Sequence, residues 1–230
     1  MHVVQLSVPP VHRRALQPRS CRGAPRFLAW LVKNPYHRGV PRPREFDEDC
    51  VVAAIRQVFW DKGYAATSVD DLMRASGLGK GSLYGAFGDK HNLFLRVLRE
   101  YNAANDRMLH ERLAAVPRGI DLVREFVRGP SCDSESARRG CLLANTTAEL
   151  AASMPDVAAE ARRSYDATAK VLTVAVERAQ REGDVDPDAD PGQIAHAVLA
   201  VQLGVVALGR TGMGVDALSA VAESALGRLL

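Results

Sequence analysis

Aromatic residues are scarce in this 230-residue chain: Phe, Trp and Tyr together make up 6% of it. Apolar period-two alternation is absent, so no strand is expected, and an abundance of Ala, Leu and Val favours helices. Cysteine is equally sparse. Cys21, Cys50, Cys132 and Cys141 show no C-x-x-C spacing, which excludes a disulfide framework or a zinc ribbon and reads as reduced thiols in a cytoplasmic protein. No signal peptide is recognisable. The one long uncharged run, Gly192–Gly209, is about at the lower limit for spanning a bilayer. It carries His196 and Gln202 and reads as a buried interface helix, so no membrane partner is expected. Phosphate loops, dinucleotide fingerprints and H-x-x-x-H pairs are all missing, so neither a cofactor nor a metal site is expected.

Acidic residues are absent from Met1–Arg44, which holds nine cations, so the remaining 21 cations face all 27 acids of the chain. Local placement, not the net charge of +3, must therefore carry any argument about an anionic partner. Residues 1–41 are rich in Pro and Arg without a sustained period and are expected to form a disordered basic extension. Two readings of it stay open. It is a basic arm lying along phosphates, or the native chain begins near Val40 and the extension is foreign to it.

From Asp47 the pattern becomes helical. A first helix is expected over Asp47–Lys62, with Val51, Ile55, Val58 and Phe59 at helical spacing and Gly63 as its stop. In the following T-S-V-D-D-L-M-R-A-S-G, Thr67 or Ser68 caps a short helix with Asp70 and Asp71 in its first turn. Gly77 permits a left-handed turn, and K-G-S-L-Y-G-A-F follows as a second short helix with Leu83 and Phe87 inward. Two short helices joined by a tight glycine turn form a DNA-reading helix-turn-helix. A long helix is expected over Lys90–Ala115, then helices over Ile120–Val127, Cys141–Ser153, Pro155 to about Gly183, Pro191 to about Leu208, and Val215–Leu229. Gly129–Arg139 reads as a polar loop.

The run F-W-D-K-G-Y-A-A-T-S-V-D-D-L-M-R-A-S-G-L-G-K-G-S-L-Y-G-A-F-G-D-K-H-N-L-F resembles the TetR/AcrR family of bacterial transcriptional regulators. The likeness is strong over about Arg42–Tyr101 and beyond it rests on the number, order and length of the helices. It implies an all-α fold: a three-helix helix-turn-helix DNA-binding domain at 42–89 and a helical ligand-binding and dimerisation domain at 90–230. It also implies a homodimer, a palindromic double-stranded DNA operator and a small-molecule effector. Lys80 and Lys90 bracket the reading helix and suit phosphates, as do the Tyr84 hydroxyl and Thr67 at a helix start. Gly81 and Ser82 lie on the same helix. Gly85 and Ala86 stand where the family often has bulky polar residues, which leaves fewer direct base contacts. Arg42 and Arg44 suit the minor groove.

A regulator needs a cavity whose occupancy changes its grip on DNA. Asn145, Thr146, Glu149, Tyr165, His196 and Gln202 are the candidate ligand contacts. Cys141, behind Arg138 and Arg139, is the candidate redox-sensing thiol. Val198, Gln202, Val206, Leu218, Val221 and Leu226 are candidates for a four-helix dimer interface, with Ala200, Gly204 and Ala207 allowing close helix approach. Two other functions fit parts of the sequence. One is a small helical enzyme built on Cys141, His196 and Asp190, although no nucleophile motif surrounds them. The other is an activator or architectural DNA-binding protein without a ligand.

Overall fold

Helix α1 (Glu48–Ala66) starts where Asp47 accepts the amides of Asp49 and Cys50 at 2.9 and 3.2 Å, with Glu48 and Asp49 at the positive end of the helix dipole. The computed structural model describes residues 46–129 and 133–230. The basic extension, Arg42, Arg44, Cys21 and Cys132 lie outside the described residues. Gly63 does not end α1, as the sequence suggested, but kinks it: at φ +78° and ψ 173° it breaks the helical geometry, and one more turn follows to Ala66.

Helices α2 (Val69–Ser76) and α3 (Lys80–Phe87) are the expected short pair. Ser68 and Asp71 close a reciprocal capping box at the start of α2, and Gly77 ends it in the left-handed conformation at φ +70°. Helix α4 (Lys90–Ala115) is capped by Asp89, whose carboxylate accepts the Asn92 amide at 2.7 Å. Then come α5 (Gly119–Arg128), α6 (Ser134–Arg139), α7 (Leu142–Leu150), α8 (Pro155–Arg181), α9 (Pro191–Arg210) and α10 (Val215–Leu229). No strand occurs among the described residues. Helix α6 corrects the expectation of a polar loop. Asp133 caps it through the Ser136 amide at 2.8 Å, a signal obscured because the helix is short and carries little apolar pattern.

Two hydrophobic clusters hold these helices. The first joins Val52, Ile55 and Phe59 of α1, Leu72 of α2, Leu83 of α3 and Leu93, Phe94, Leu95, Val97 and Leu98 of α4 to Leu142 and Leu150 of α7 and Val157 of α8. The second joins the end of α4 to α5, the rest of α8, α9 and α10. The helix-turn-helix core is therefore continuous with two helices of the larger bundle, and α4 belongs to both clusters. Phe59 packs edge-on against Phe94 at 5.0 Å, and burying a side chain of that size is worth about 1.5–3 kcal/mol.

Helix α9 is the one described helix apolar and long enough to cross a membrane. Its face formed by Ile194, Ala195, Val198 and Val205 is instead buried in the second cluster, against α8, α5 and α10.

Candidate nucleic-acid interface and the cleft behind it

Helix α3 presents a shallow outer face. Leu83 and Phe87 are buried, whereas Lys80, Gly81, Ser82 and Gly85 are exposed and Tyr84 and Ala86 half-buried. A Cβ built on Gly81 or Gly85 meets nothing within 4 Å, so this face is open to close approach. Lys90 stands one helix later, with its ammonium 4.3 Å from the centre of the Tyr64 ring. That ring also packs on Phe94 at 4.9 Å and meets His91 edge-on.

Thr67 corrects an expectation. It is 2% exposed, and its hydroxyl donates to the Gly63 carbonyl at 2.6 Å, so it braces the kinked end of α1 and does not face a phosphate. The capping role falls to Ser68 alone.

Behind this module, a cleft of about 670 Å³ opens between the end of α1 and helices α7, α8 and α9. Four of the expected ligand contacts line it: Asn145, Thr146, Glu149 and Tyr165. Tyr165 shares a 3.1 Å hydrogen bond with Thr147, and burial raises its phenol above the ordinary value. Two others are elsewhere. His196 is exposed, its Nδ1 occupied by the Gly192 carbonyl at 2.7 Å, and Gln202 is half-buried on α9 outside the lining. Residues that sequence reasoning missed include Phe59, Trp60 and Gly63 of α1 and Arg210 of α9. Trp60 was the available signal, a large amphipathic ring beside the buried stripe of α1.

Several polar contacts tie α1 to the larger bundle here. The Glu149 carboxylate accepts the amides of Tyr64 and Ala65 at 3.0 and 2.7 Å. The Trp60 indole N–H donates to the Gly140 carbonyl at 3.2 Å, while the Arg139 guanidinium lies 4.3 Å over the Trp60 ring. Arg139 also pairs with Asp61 at 2.9 Å and donates to the Gln57 side chain. At the start of α4, His91 bonds Asp156 of α8 and holds its carboxyl below the ordinary value.

Cys141 is half-buried beside this corner, its Sγ 3.5 Å from the Tyr101 hydroxyl. The catalytic constellation weighed from the sequence is not assembled. Cys141 meets Tyr101, Asp190 caps α9 through the Gln193 amide at 3.0 Å, and His196 bonds its own helix.

The dimer candidates need correcting as well. Val198, Val206, Leu218 and Leu226 are 0–3% exposed and belong to the core of their own chain. Val221 is 40% exposed, and Ala200, Gly204 and Ala207 form the open face of α9. Helix α9 carries no charge before Arg210, and its exposed polar residues, Gln193 and His196, lie in its first two turns, so its periodicity did not say which face of the remainder is buried.

Comparison with known proteins now decides the family. The family model described as "Bacterial regulatory proteins, tetR family" matches residues 51–97, and that for the "Tetracyclin repressor-like, C-terminal domain" matches residues 97–224. The chain belongs to the TetR family. It is a transcriptional regulator with an N-terminal helix-turn-helix and an all-helical C-terminal domain. Among curated relatives, the HTH-type transcriptional repressor ComR of Escherichia coli is 26% identical over 188 residues, covering 80% of this chain and 90% of ComR. BdcR, also an E. coli repressor, is 43% identical over 71 residues, covering 31% of this chain and 36% of BdcR. Among solved structures, a TetR-family regulator from Cytophaga hutchinsonii superposes with a TM-score of 0.72 at 23% identity, covering 79% of this chain and 92% of that one. A cysteine mutant of the TetR-family regulator CifR, in complex with 26 bp double-strand operator DNA, superposes with a TM-score of 0.68. It is 27% identical and covers 81% of this chain and 98% of its own.

Proposed function

We propose that this chain is a homodimeric, effector-responsive transcriptional repressor that reads a palindromic operator through α3. The observation that carries the reading is the outward face of α3, where Lys80, Ser82 and Tyr84 reach solvent beside Lys90 while Leu83 and Phe87 anchor the helix from behind. Lys80 and Lys90 supply cations for phosphates on either side of the groove, and the Tyr84 hydroxyl and Ser82 supply short polar contacts. Gly85 and Ala86 bring the backbone close to the bases and leave much of the sequence preference to duplex shape. Two copies joined across the open face of α9, with Val221 of α10 at its edge, place two reading helices on one operator. The relatives named as repressors, and the operator complex of CifR, support the same role.

The test is footprinting of the purified protein on the DNA upstream of its own gene, followed by fluorescence anisotropy on the protected sequence. Tyr84→Phe and Lys90→Ala are expected to weaken binding by about five- to tenfold each, the size of one lost phosphate contact. Lys90→Ala also lowers the slope of log affinity against log salt by about 0.9, since one counterion fewer is released. Wild-type affinity and slope in both variants would remove these roles. Reporter activity that rises when the gene is deleted is the sign expected of a repressor.

A further inference from the structure

Glu149 lies at the cleft wall with an unusual set of partners. Its carboxylate bonds the main-chain amides of Tyr64 and Ala65 and, among the described residues, no lysine or arginine neutralises it. Two cations do reach the same cleft, and of these Lys62 is held by the Asp71 carboxylate at 2.7 Å while Arg210 is turned toward the neutral Arg139 carbonyl at 3.3 Å. The rest of the lining is mixed: Trp60 from α1 and Leu203 and Ala207 from α9 supply accessible apolar surface beside the polar Asn145 and Thr147 of α7. Glu149 is exposed at the cleft wall, and a carboxylate there without a salt-bridge partner, beside the Trp60 ring, suits a positively charged guest with a hydrophobic body.

The same carboxylate sits one residue from the DNA-facing surface. Tyr64, whose amide it accepts, carries the Lys90 ammonium on its ring at 4.3 Å. Anything that draws Glu149 away frees the last turn of α1, already broken from the rest of the helix at Gly63, and moves the platform beneath Lys90.

We propose that this cleft is the effector site and that it takes an organic cation with an aromatic or aliphatic body. The cation's charge competes with the Tyr64 and Ala65 amides for Glu149. The inference rests on the repressor reading above and adds to it the place, the ligand class and the residue that transmits occupancy. Binding favours the arrangement in which Lys90 is displaced, and by reciprocity operator DNA weakens cation binding.

Two probes with the same benzyl body and tetrahedral heads of opposite charge test it: benzyltrimethylammonium and benzylsulfonate. The chain has two tryptophans, so Trp30→Phe in the full-length protein leaves Trp60, which lines the cleft, as the sole indole reporter. Benzyltrimethylammonium is expected to change Trp60 fluorescence saturably, and benzylsulfonate to leave it unchanged. Glu149→Gln weakens cation binding by about two- to fivefold, as expected for one exposed ion pair. Ala144→Phe, which fills the cleft and keeps the carboxylate, abolishes it. Over the same concentrations the cation lowers operator affinity by about fivefold or more. The proposal is overturned by a response to the sulfonate in place of the cation, by no saturable response, by equal cation affinity in the Gln variant, or by cation binding that leaves operator affinity unchanged. The fluorescence titration contains no DNA. A protein that binds the cation but no operator therefore refutes the repressor reading, whereas one that binds operator but no cation refutes only the cleft.

Discussion

Replacing Gly63 by alanine tests the joint between α1 and the bundle most directly. Its φ of +78° and ψ of 173° lie in a region that is essentially glycine's alone, and an L-residue there costs about 1–3 kcal/mol. The new Cβ would also stand 2.8 Å from Glu149 Oε2. The side chain can swing away, but only by releasing the Tyr64 and Ala65 amides, and losing hydrogen bonds to a charged acceptor adds about 1–3 kcal/mol. Together these predict a loss of about 2–6 kcal/mol, a large share of the 5–15 kcal/mol typical of a folded domain. Urea denaturation measures it, with Gly77→Ala as the comparison. Gly77 also has positive φ, but a Cβ there meets nothing within 4 Å, so its loss should stay near the backbone cost of about 1–2 kcal/mol. A Glu149→Ala background should remove the second contribution at Gly63 and leave the first. A Gly63→Ala protein within about 0.5 kcal/mol of wild type would refute the strain argument, and equal losses with and without Glu149 would refute the contact argument.

Gly119→Ala probes the packing of α5 on α8. A Cβ there would lie 2.3 Å from the Ala175 carbonyl oxygen and 2.7 Å from the Ala179 amide, both backbone atoms that cannot turn aside. A loss of at least about 2 kcal/mol is expected, visible as a fall of roughly 4–8 °C in thermal midpoint; an unchanged midpoint would show that the helices separate freely. Asp71→Asn probes pH dependence. The Lys62 ammonium and the Ser68 amide and hydroxyl hold the Asp71 carboxyl well below its ordinary 3.8. A depressed carboxylate contributes stability that is present above its ordinary pKa and lost as pH falls past it. The variant should therefore melt lower than wild type at neutral pH, and the gap should close on acidification below about pH 4. A gap that stays constant with pH would argue against the pairing.

Much of the fold was legible because its signals are local. Asp47, Ser68 and Asp190 announce helix starts, and Gly77 and Pro155 mark a stop and a start, each through backbone chemistry that needs no distant partner. The helix-turn-helix followed from the same signals at fixed spacing. What failed depended on tertiary packing. Thr67 has the chemistry of a phosphate ligand, yet the backbone reversal at Gly63 turns its hydroxyl onto a carbonyl. Val198 and Val206 were indistinguishable from interface residues because α9 beyond His196 has small or apolar residues on nearly every face. Glu149 and Asn145 stood out as polar residues in the mostly apolar α7, but the α1 amides that Glu149 accepts lie some eighty residues away in sequence and could not be named.

The nearly bare outer face of α3 gives this joint its weight. A reading helix with several long polar side chains can lose one contact and keep its register on the duplex. Here Gly81, Gly85 and Ala86 project little, so on the proposed reading the grip depends on a few flanking groups, Lys90 among them. The ring beneath Lys90 belongs to Tyr64, and Tyr64 is anchored to the bundle through its own amide. A displacement too small to unfold anything then acts on a large fraction of the binding energy. Restoring a long polar residue by Gly85→Gln adds a contact that does not pass through Tyr64. Its open surroundings accept the side chain, since a Cβ there meets nothing within 4 Å. On an operator reselected for this variant, the proportional loss of affinity caused by Glu149→Ala should be smaller than in the wild type on its own operator. An equal or larger loss would show that the coupling does not run through Lys90.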